Sequence, residues 1–251
     1  MASLSVIIPA LNEEHYLPIA LRSLIGQAGC EIEVIVVDGK SEDRTVAETM
    51  QVASENRNPA ISVRVLVSDR RQVSYQRNLG AKSGRHEILL FLDADTALIS
   101  PESLAERVRL FRSKRLQAAT FRLKSLERQW RGDAYFLIFW VFAKAMARFK
   151  PYASGACLMT TQEAFKKVGG FDESIFINED GDYCRRVKKF GRFAVLRQPF
   201  YTSCRRFEHM GYWKAGLMYV RIAFVRLVHG ELKDPRKFDY GFGDFEKDDE
   251  N

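Results

Sequence analysis

Cysteine is scarce in this chain, and its scarcity excludes two kinds of protein. The four cysteines, Cys30, Cys157, Cys184 and Cys204, lie far apart in 251 residues with no CxxC pair. Neither a zinc site nor a dense disulfide framework is expected, and the thiols should be reduced and buried. Long apolar runs are also missing. No stretch approaches the roughly 20 uninterrupted apolar residues of a spanning helix, and "MAS" leads directly into a strand-like run without a signal peptide's basic and apolar regions. The expected location is the cytoplasm, with the inner face of the cell membrane as a possible place of work. Phosphate-binding fingerprints are absent as well. "GKS" at Gly39 to Ser41 resembles the end of a P-loop, but Val34 stands where the earlier glycine would be needed. No GxGxxG follows the first strand-like run, which argues against a nicotinamide or flavin enzyme.

What is present describes an ordinary globular chain. Hydrophobic residues make up 46% of it, enough for a full core. The 39 Lys and Arg against 32 Asp and Glu leave a formal charge of +7, which favours phosphorylated small molecules, other polyanions or an acidic membrane surface. Charge alone does not choose among them, and nothing in the motifs calls for nucleic acid.

The chain alternates between two periodicities. "LSVIIP", "EVIVVD", "ISVRVLV" and "EILLFL" read as strands, each followed by a helical pattern. Asn12 and Ser41 are available as caps for the first two helices, and Pro101 suits the first turn of the helix after the fourth strand. Strands this apolar, alternating with helices, predict an α/β fold with a mostly parallel sheet covered on both faces. Ligands bind such sheets beyond the carboxyl ends of the strands. Asp38 and Asp93 end apolar strands, and Asn12-Glu13-Glu14 falls just past another, so one shared site is expected there.

Asp93 and Asp95 carry the sharpest signal. "ILLFLDADT" runs five apolar residues into two acids at i and i+2, a concentration of negative charge that is costly without a cation. Mg²⁺ or Mn²⁺ suits such a pair, held by one or two carboxylates and a substrate's phosphates.

"SVIIPALNEE", "EVIVVDGKSEDRT", "QRNLGA", "FLDADT", "GACLMTTQEAFKKVGGFDE" and "NEDGDYCRRV" together resemble the family 2 glycosyltransferases of the GT-A fold, from about Ser5 to Arg206. The resemblance implies transfer of a sugar from a nucleoside-diphosphate sugar, with a divalent metal and inversion at the anomeric carbon. It implies that Pro9, Asn12 and Glu13 border the nucleotide pocket and that Asp38 recognises the base. Arg77 and Asn78 would face the nucleotide, Asp93 would lie near ribose and metal, and Asp95 would be the principal metal ligand.

A hydroxyl attacking an anomeric carbon must lose a proton, which a carboxylate can take. Asp180 is the expected base at the start of a helix, with Glu179 and Asp182 as alternatives. Arg205 and Arg206 would stabilise the departing diphosphate. His209 follows them, but a lone histidine is more often structural.

Two apolar segments bear on the acceptor, expected to be a glycan or a lipid-linked sugar or phosphate. "AYFLIFWVFAKAMARF" holds ten apolar residues before Lys144, too few to span a bilayer but suited to a buried or interfacial helix. Trp213, Leu217, Val220, Phe224 and Val228 recur at helical spacing, flanked by Lys214 and Arg221. Both segments suit packing within the fold, a homodimer or peripheral membrane contact. The expected organisation is one domain over residues 1–230, with a nucleotide-binding half to residue 97 and an acceptor-binding half after it. Residues 231–251 form an acidic tail expected to be partly disordered. Two other readings are a sugar-phosphate nucleotidyltransferase, which should carry a glycine-rich basic loop where this chain has "ALNEE", and a non-catalytic binding module.

Overall fold

The computed structural model describes residues 2–149, 151–218 and 221. Val220, Phe224, Val228 and the acidic tail lie outside the described residues. The first half repeats strand and helix: β1 (Ala2–Ala10), α1 (Leu17–Ile25), β2 (Cys30–Asp38), α2 (Thr45–Glu55), β3 (Ile61–Val67), α3 (Val73–Ser83) and β4 (Ile88–Leu92). A two-residue strand β5 (Thr96–Ala97) and helix α4 (Ser103–Ser113) lead into β6 (Ala118–Ser125) and the long α5 (Trp130–Met146). Then come β7 (Cys157–Thr161), α6 (Gln162–Val168), α7 (Glu179–Lys188), β8 (Phe193–Thr202) and α8 (Arg205–Met210).

Among the described residues eight strands join one sheet in the order β3-β2-β1-β4-β7-β6-β8-β5. β1, β2, β3 and β4 are parallel, as continuous apolar strands joined by helices require. β7 runs antiparallel to both β4 and β6, while β6 and β8 are parallel to each other. This reversal places the start of β7 beside the end of β4, with Cys157 opposite Leu92. The ends of β1, β4, β6 and β8 therefore meet the segment just before β7 on one edge.

Alternation along each strand feeds two cores. Leu4, Val6 and Ile8 pack with Leu17, Leu21, Val108 and Phe111 on one face. Ile7, Ile35, Val37 and Phe91 face the other way, against Phe165, Phe171 and Tyr183. Phe171 and Tyr183 stack at 4.7 Å, and Phe91 meets Phe171 edge-on at 4.8 Å. All four cysteines are free and buried.

Toward the amino ends of the strands the second face carries a buried charge. Glu33 accepts the Ser5 hydroxyl at 2.8 Å and the Arg85 N–H at 2.9 Å, and pairs with Arg64 at 3.2 Å and Arg85 at 3.0 Å. Burial alone would raise its pKa; the Arg85 N–H, the Ser5 hydroxyl and the two guanidiniums reverse this and hold it below the ordinary value.

The expected caps are used differently. α1 starts at Leu17 and α2 at Thr45, so neither Asn12 nor Ser41 caps a helix. Instead they stitch two loops together. The Asn12 N–H donates to the Ser41 hydroxyl at 2.9 Å, and the Asn12 side-chain oxygen accepts the Glu42 N–H at 2.9 Å. Asn12 reaches this position at φ 54°, in the left-handed region that asparagine tolerates. Pro101 precedes α4 by two residues, with Glu102 at the cap position.

Candidate active site

The strand ends open into a cleft with two unlike walls. Asn12, Glu13, Arg77, Asp93, Asp95 and Arg205 form a charged wall, while Tyr135, Phe136, Phe139, Tyr152, Phe176 and Phe207 form an aromatic one. Glu179, Asp180, Pro9 and Arg206 are also among the residues that line the cleft.

Arg77 is the hub of the charged wall. α3 carries it under the cleft, 2% exposed, where it donates to Asp93 Oδ1 at 2.9 Å and Glu179 Oε1 at 2.6 Å. Burial opposes its charge, but Asp93, Glu179 and Asp180 outweigh that and hold its pKa above the ordinary arginine value. The guanidinium rests on Gly155, where an added Cβ would meet Nη2 at 2.5 Å. The glycine just before β7 is thus required by an arginine from α3. One cation thereby joins the end of β4 to the start of α7.

Asp95 is anchored from β8. Its Oδ1 accepts the Thr202 hydroxyl at 3.2 Å, and its carbonyl accepts the Ser203 N–H at 3.1 Å. Arg205 Nε lies 3.7 Å from Oδ2, and the same guanidinium pairs with Glu13 at 2.5 Å and covers the Tyr16 ring at 4.5 Å. Burial pushes the Asp95 pKa up; Arg205 and Arg206 pull it down and Asp93 adds to the rise, leaving it above the ordinary value. Burial thus outweighs the two arginines at this carboxylate.

The three acids at the start of α7 separate by partner. Glu179 is committed to Arg77. Asp182 is not among the cleft-lining residues: it is held by Arg185 at 3.3 Å and Arg186 at 2.7 Å, and Arg186 in turn donates to the carbonyls of Val168 and Gly170. Its role is to tie α7 to the turn after α6. Asp180 lines the cleft and accepts the Gly181 N–H at 2.7 Å. Gly181 permits the tight entry to the helix, since a Cβ there would meet the Asn178 amide nitrogen at 2.0 Å.

Two residues expected to face the nucleotide are turned elsewhere. Asn78 is buried, donates to the Phe171 carbonyl at 2.9 Å and Glu173 at 3.0 Å, and accepts the Phe171 N–H at 2.8 Å. Arg77 and Asn78 are adjacent on a helix, so they point about 100° apart and only one can reach the cleft. Asp38 lies outside the lining residues too. Its carboxylate accepts the N–H groups of Lys40 and Ser41 at 3.0 and 3.2 Å, and the Ser41 hydroxyl at 2.5 Å, shaping the loop after β2. His209 is exposed and away from the lining.

Sequence reasoning missed most of the aromatic wall. Its one visible signal was the apolar run in α5, whose Tyr135, Phe136 and Phe139 line the cleft. Tyr152 and Phe176 sit in loops without periodicity. Gln76, also missed, ties β1 to β2 by donating to the carbonyls of Ala10 at 3.0 Å and Val37 at 2.8 Å.

Among the described residues no cluster of three or more His, Cys, Asp or Glu is placed to hold a metal by itself. Asp93 and Asp95 nevertheless fit a divalent cation that takes its other ligands from phosphates and water. Asp93 is held through Oδ1 by Arg77 and Asp95 through Oδ1 by Thr202, and both carboxylates line the cleft.

The model of the family "Glycosyl transferase family 2" matches residues 5–169, and the chain belongs to that family. The fold is GT-A, an α/β sheet flanked by helices. A mannosyltransferase from Pyrobaculum calidifontis, solved with GDP-Man and Mn²⁺, is similar at TM-score 0.72 and 18% identity, covering 92% of this chain and 66% of that one. The amylovoran biosynthesis glycosyltransferase AmsB of Erwinia amylovora is 27% identical over 83% of this chain and 73% of its own length. A dolichyl-phosphate β-glucosyltransferase of Drosophila melanogaster is 33% identical over 52% of this chain and 38% of its own. The first curated relatives are matched over 26% to 38% of their lengths. Among the described residues no helix is long and apolar enough to cross a membrane.

Proposed function

We infer that this chain transfers a sugar from a nucleoside-diphosphate sugar to an acceptor hydroxyl or phosphate, inverting the anomeric carbon. The observation that carries this reading is the placement of Asp93 and Asp95 in one cleft with Asp180, across the buried Arg77. Membership of the family and the GDP-Man complex of a protein of the same fold support it.

Asp95 and Asp93 would hold Mg²⁺ or Mn²⁺, which would supply positive charge to the diphosphate of the donor. Pro9, Asn12 and Glu13 border the nucleotide. Asp38 and Asn78 act at one remove, by fixing the loop after β2 and the turn at Phe171. Asp180 takes the acceptor's proton as the acceptor oxygen bonds to the anomeric carbon and the bond to the diphosphate breaks. Glu179 is held by Arg77 at 2.6 Å, and Asp180 beside it lines the cleft. Arg205 and Arg206 face the charge that builds on the leaving diphosphate.

The aromatic wall receives the acceptor, a glycan or a lipid-linked sugar or phosphate. Its apolar rings suit sugar faces and hydrocarbon alike. Residues to 97 then serve the donor, and those from 98 to 230 mainly the acceptor.

Thermal-shift titration with UDP, GDP, CDP and dTDP sugars, with and without Mn²⁺, tests the donor site. A ligand at about 100 times its dissociation constant adds about 2.7 kcal/mol. One nucleotide should stabilise the protein only with Mn²⁺, and Asp95→Ala should lose that response. No metal-dependent shift with any donor would sink the reading.

A further inference from the structure

α5 has two apolar faces, and the protein covers one of them. Gly132, Phe136 and Ala143 are buried, and Trp140 donates to the Leu196 carbonyl at 3.0 Å, so this side is packed on β6 and β8. A surface helix should then present polar residues to water. Here the outer stripe is apolar: Trp130 is 75% exposed, Ile138 71%, Val141 53%, Phe142 47% and Leu137 40%. Their spacing of three and four places them on one side of the helix. Phe149, just beyond the helix end, is 80% exposed.

The rim of this stripe is basic. Arg131, Lys144 and Arg148 are exposed, while Asp133, the single acid of the helix, turns inward to accept the Ser125 N–H at 2.9 Å. The neighbouring helical residues 212–218 contact α5 through Tyr212 and Tyr135, with rings 6.4 Å apart. That segment adds Trp213, 88% exposed, Leu217, 68% exposed, and the exposed Lys214.

The geometry points to a seat on an anionic lipid bilayer, with α5 lying flat at the interface. Apolar side chains enter the boundary of the acyl chains, the basic rim meets acidic headgroups, and the tryptophans suit the boundary between them. With 17 residues the helix is too short to cross and long enough to lie flat. A second copy of this face is the weaker occupant, because a symmetric pair would bring the basic rim of one copy, Arg131, Lys144 and Arg148, against the basic rim of the other. The seat does not depend on the chemistry of the cleft. Its consequence, which rests on the glycosyl-transfer reading, is an amphiphilic acceptor. The same helix lines the cleft with Tyr135, Phe136 and Phe139, so an acceptor drawn from the bilayer passes along α5 to Asp180.

Co-sedimentation of the full chain with phosphatidylcholine vesicles, with and without phosphatidylglycerol, tests the seat without nucleotide. The wild type should bind the anionic vesicles and be released by salt. The double variant Ile138→Ser, Phe142→Ser should bind at least about tenfold more weakly. Arg131→Gln with Lys144→Gln should also lose about tenfold on anionic vesicles. A Trp130-only protein, made by Trp140→Phe and Trp213→Phe, should shift its fluorescence to the blue with anionic vesicles. Equal binding by wild type and the Ile138, Phe142 variant would overturn the proposal. So would absence of both binding and blue shift, or a wild-type dimer that this variant separates. Donor-induced thermal shifts, read without vesicles, report the cleft separately: their loss with vesicle binding intact would remove the glycosyl-transfer reading and leave the seat standing.

Discussion

The sheet carries two buried charge clusters built with opposite polarity. Near the amino ends of the strands an acid is central: Glu33 is 1% exposed, and its arginines Arg64 and Arg85 reach water. At the carboxyl ends a cation is central: Arg77 is buried, and Asp93 lies 38% exposed at the cleft. The first cluster turns positive charge outward, with Arg64 also donating to the Ser83 carbonyl at 2.8 Å. The second turns acids toward a cleft and is suited to hold another cation. Both fix neighbouring elements, but only the second leaves chemistry at its surface.

Four substitutions separate these roles. Asp180→Asn should have the largest effect, lowering kcat by about 10² to 10⁴ in a donor-consumption assay. Its unfolding midpoint in urea should correspond to wild-type stability within about 1 kcal/mol. Arg77→Met should act the other way round, costing about 3 kcal/mol in denaturant unfolding because Glu179 is left buried without its cation. A wild-type unfolding curve for Arg77→Met would break the comparison, since it would show the hub to be dispensable for folding.

Glu33→Gln should cost about 2 kcal/mol at neutral pH, through loss of its charged hydrogen bonds, and leave donor binding intact. Its pH dependence has a definite sign. The folded pKa of Glu33 lies below its ordinary value of 4.5, so the carboxylate's contribution is complete above 4.5 and is lost as pH falls through the depressed folded value. The gap between wild type and Glu33→Gln should therefore close in acid. Arg85→Met should cost least, under about 1 kcal/mol, because the Arg85 side chain is 70% exposed and its backbone N–H still reaches Glu33.

Much of the fold was legible because it depends on local pattern. Apolar strands alternating with helices, three of them followed by Asn12, Asp38 or Asp93, foretold the parallel half and its site edge. The direction of β7 was not legible: "CLMTT" is apolar whichever way it runs. At the site, the acids that end the fourth strand and the family resemblance at Glu179-Asp180 pointed to four residues that line one cleft, Asp93, Asp95, Glu179 and Asp180, but side-chain direction decided the rest. Asn78 follows Arg77 in the sequence and leaves the cleft because a helix turns. Asp182 was legible in principle, since Arg185 and Arg186 stand three and four residues later on the same helix. The dual nature of α5 was hidden for a different reason. A run apolar on every face carries no period to tell the packed side from the open one.

The ion pair between Glu13 and Arg205 joins residues 192 positions apart. Glu13 stands just past β1, yet the charged wall is complete only when α8 is docked. Closing so long a loop is slow and comes late. On the glycosyl-transfer reading proposed above, a donor site then needs residues from both ends of the described chain, so a protein cut short before α8 should fail to bind a donor even where its first four strands form.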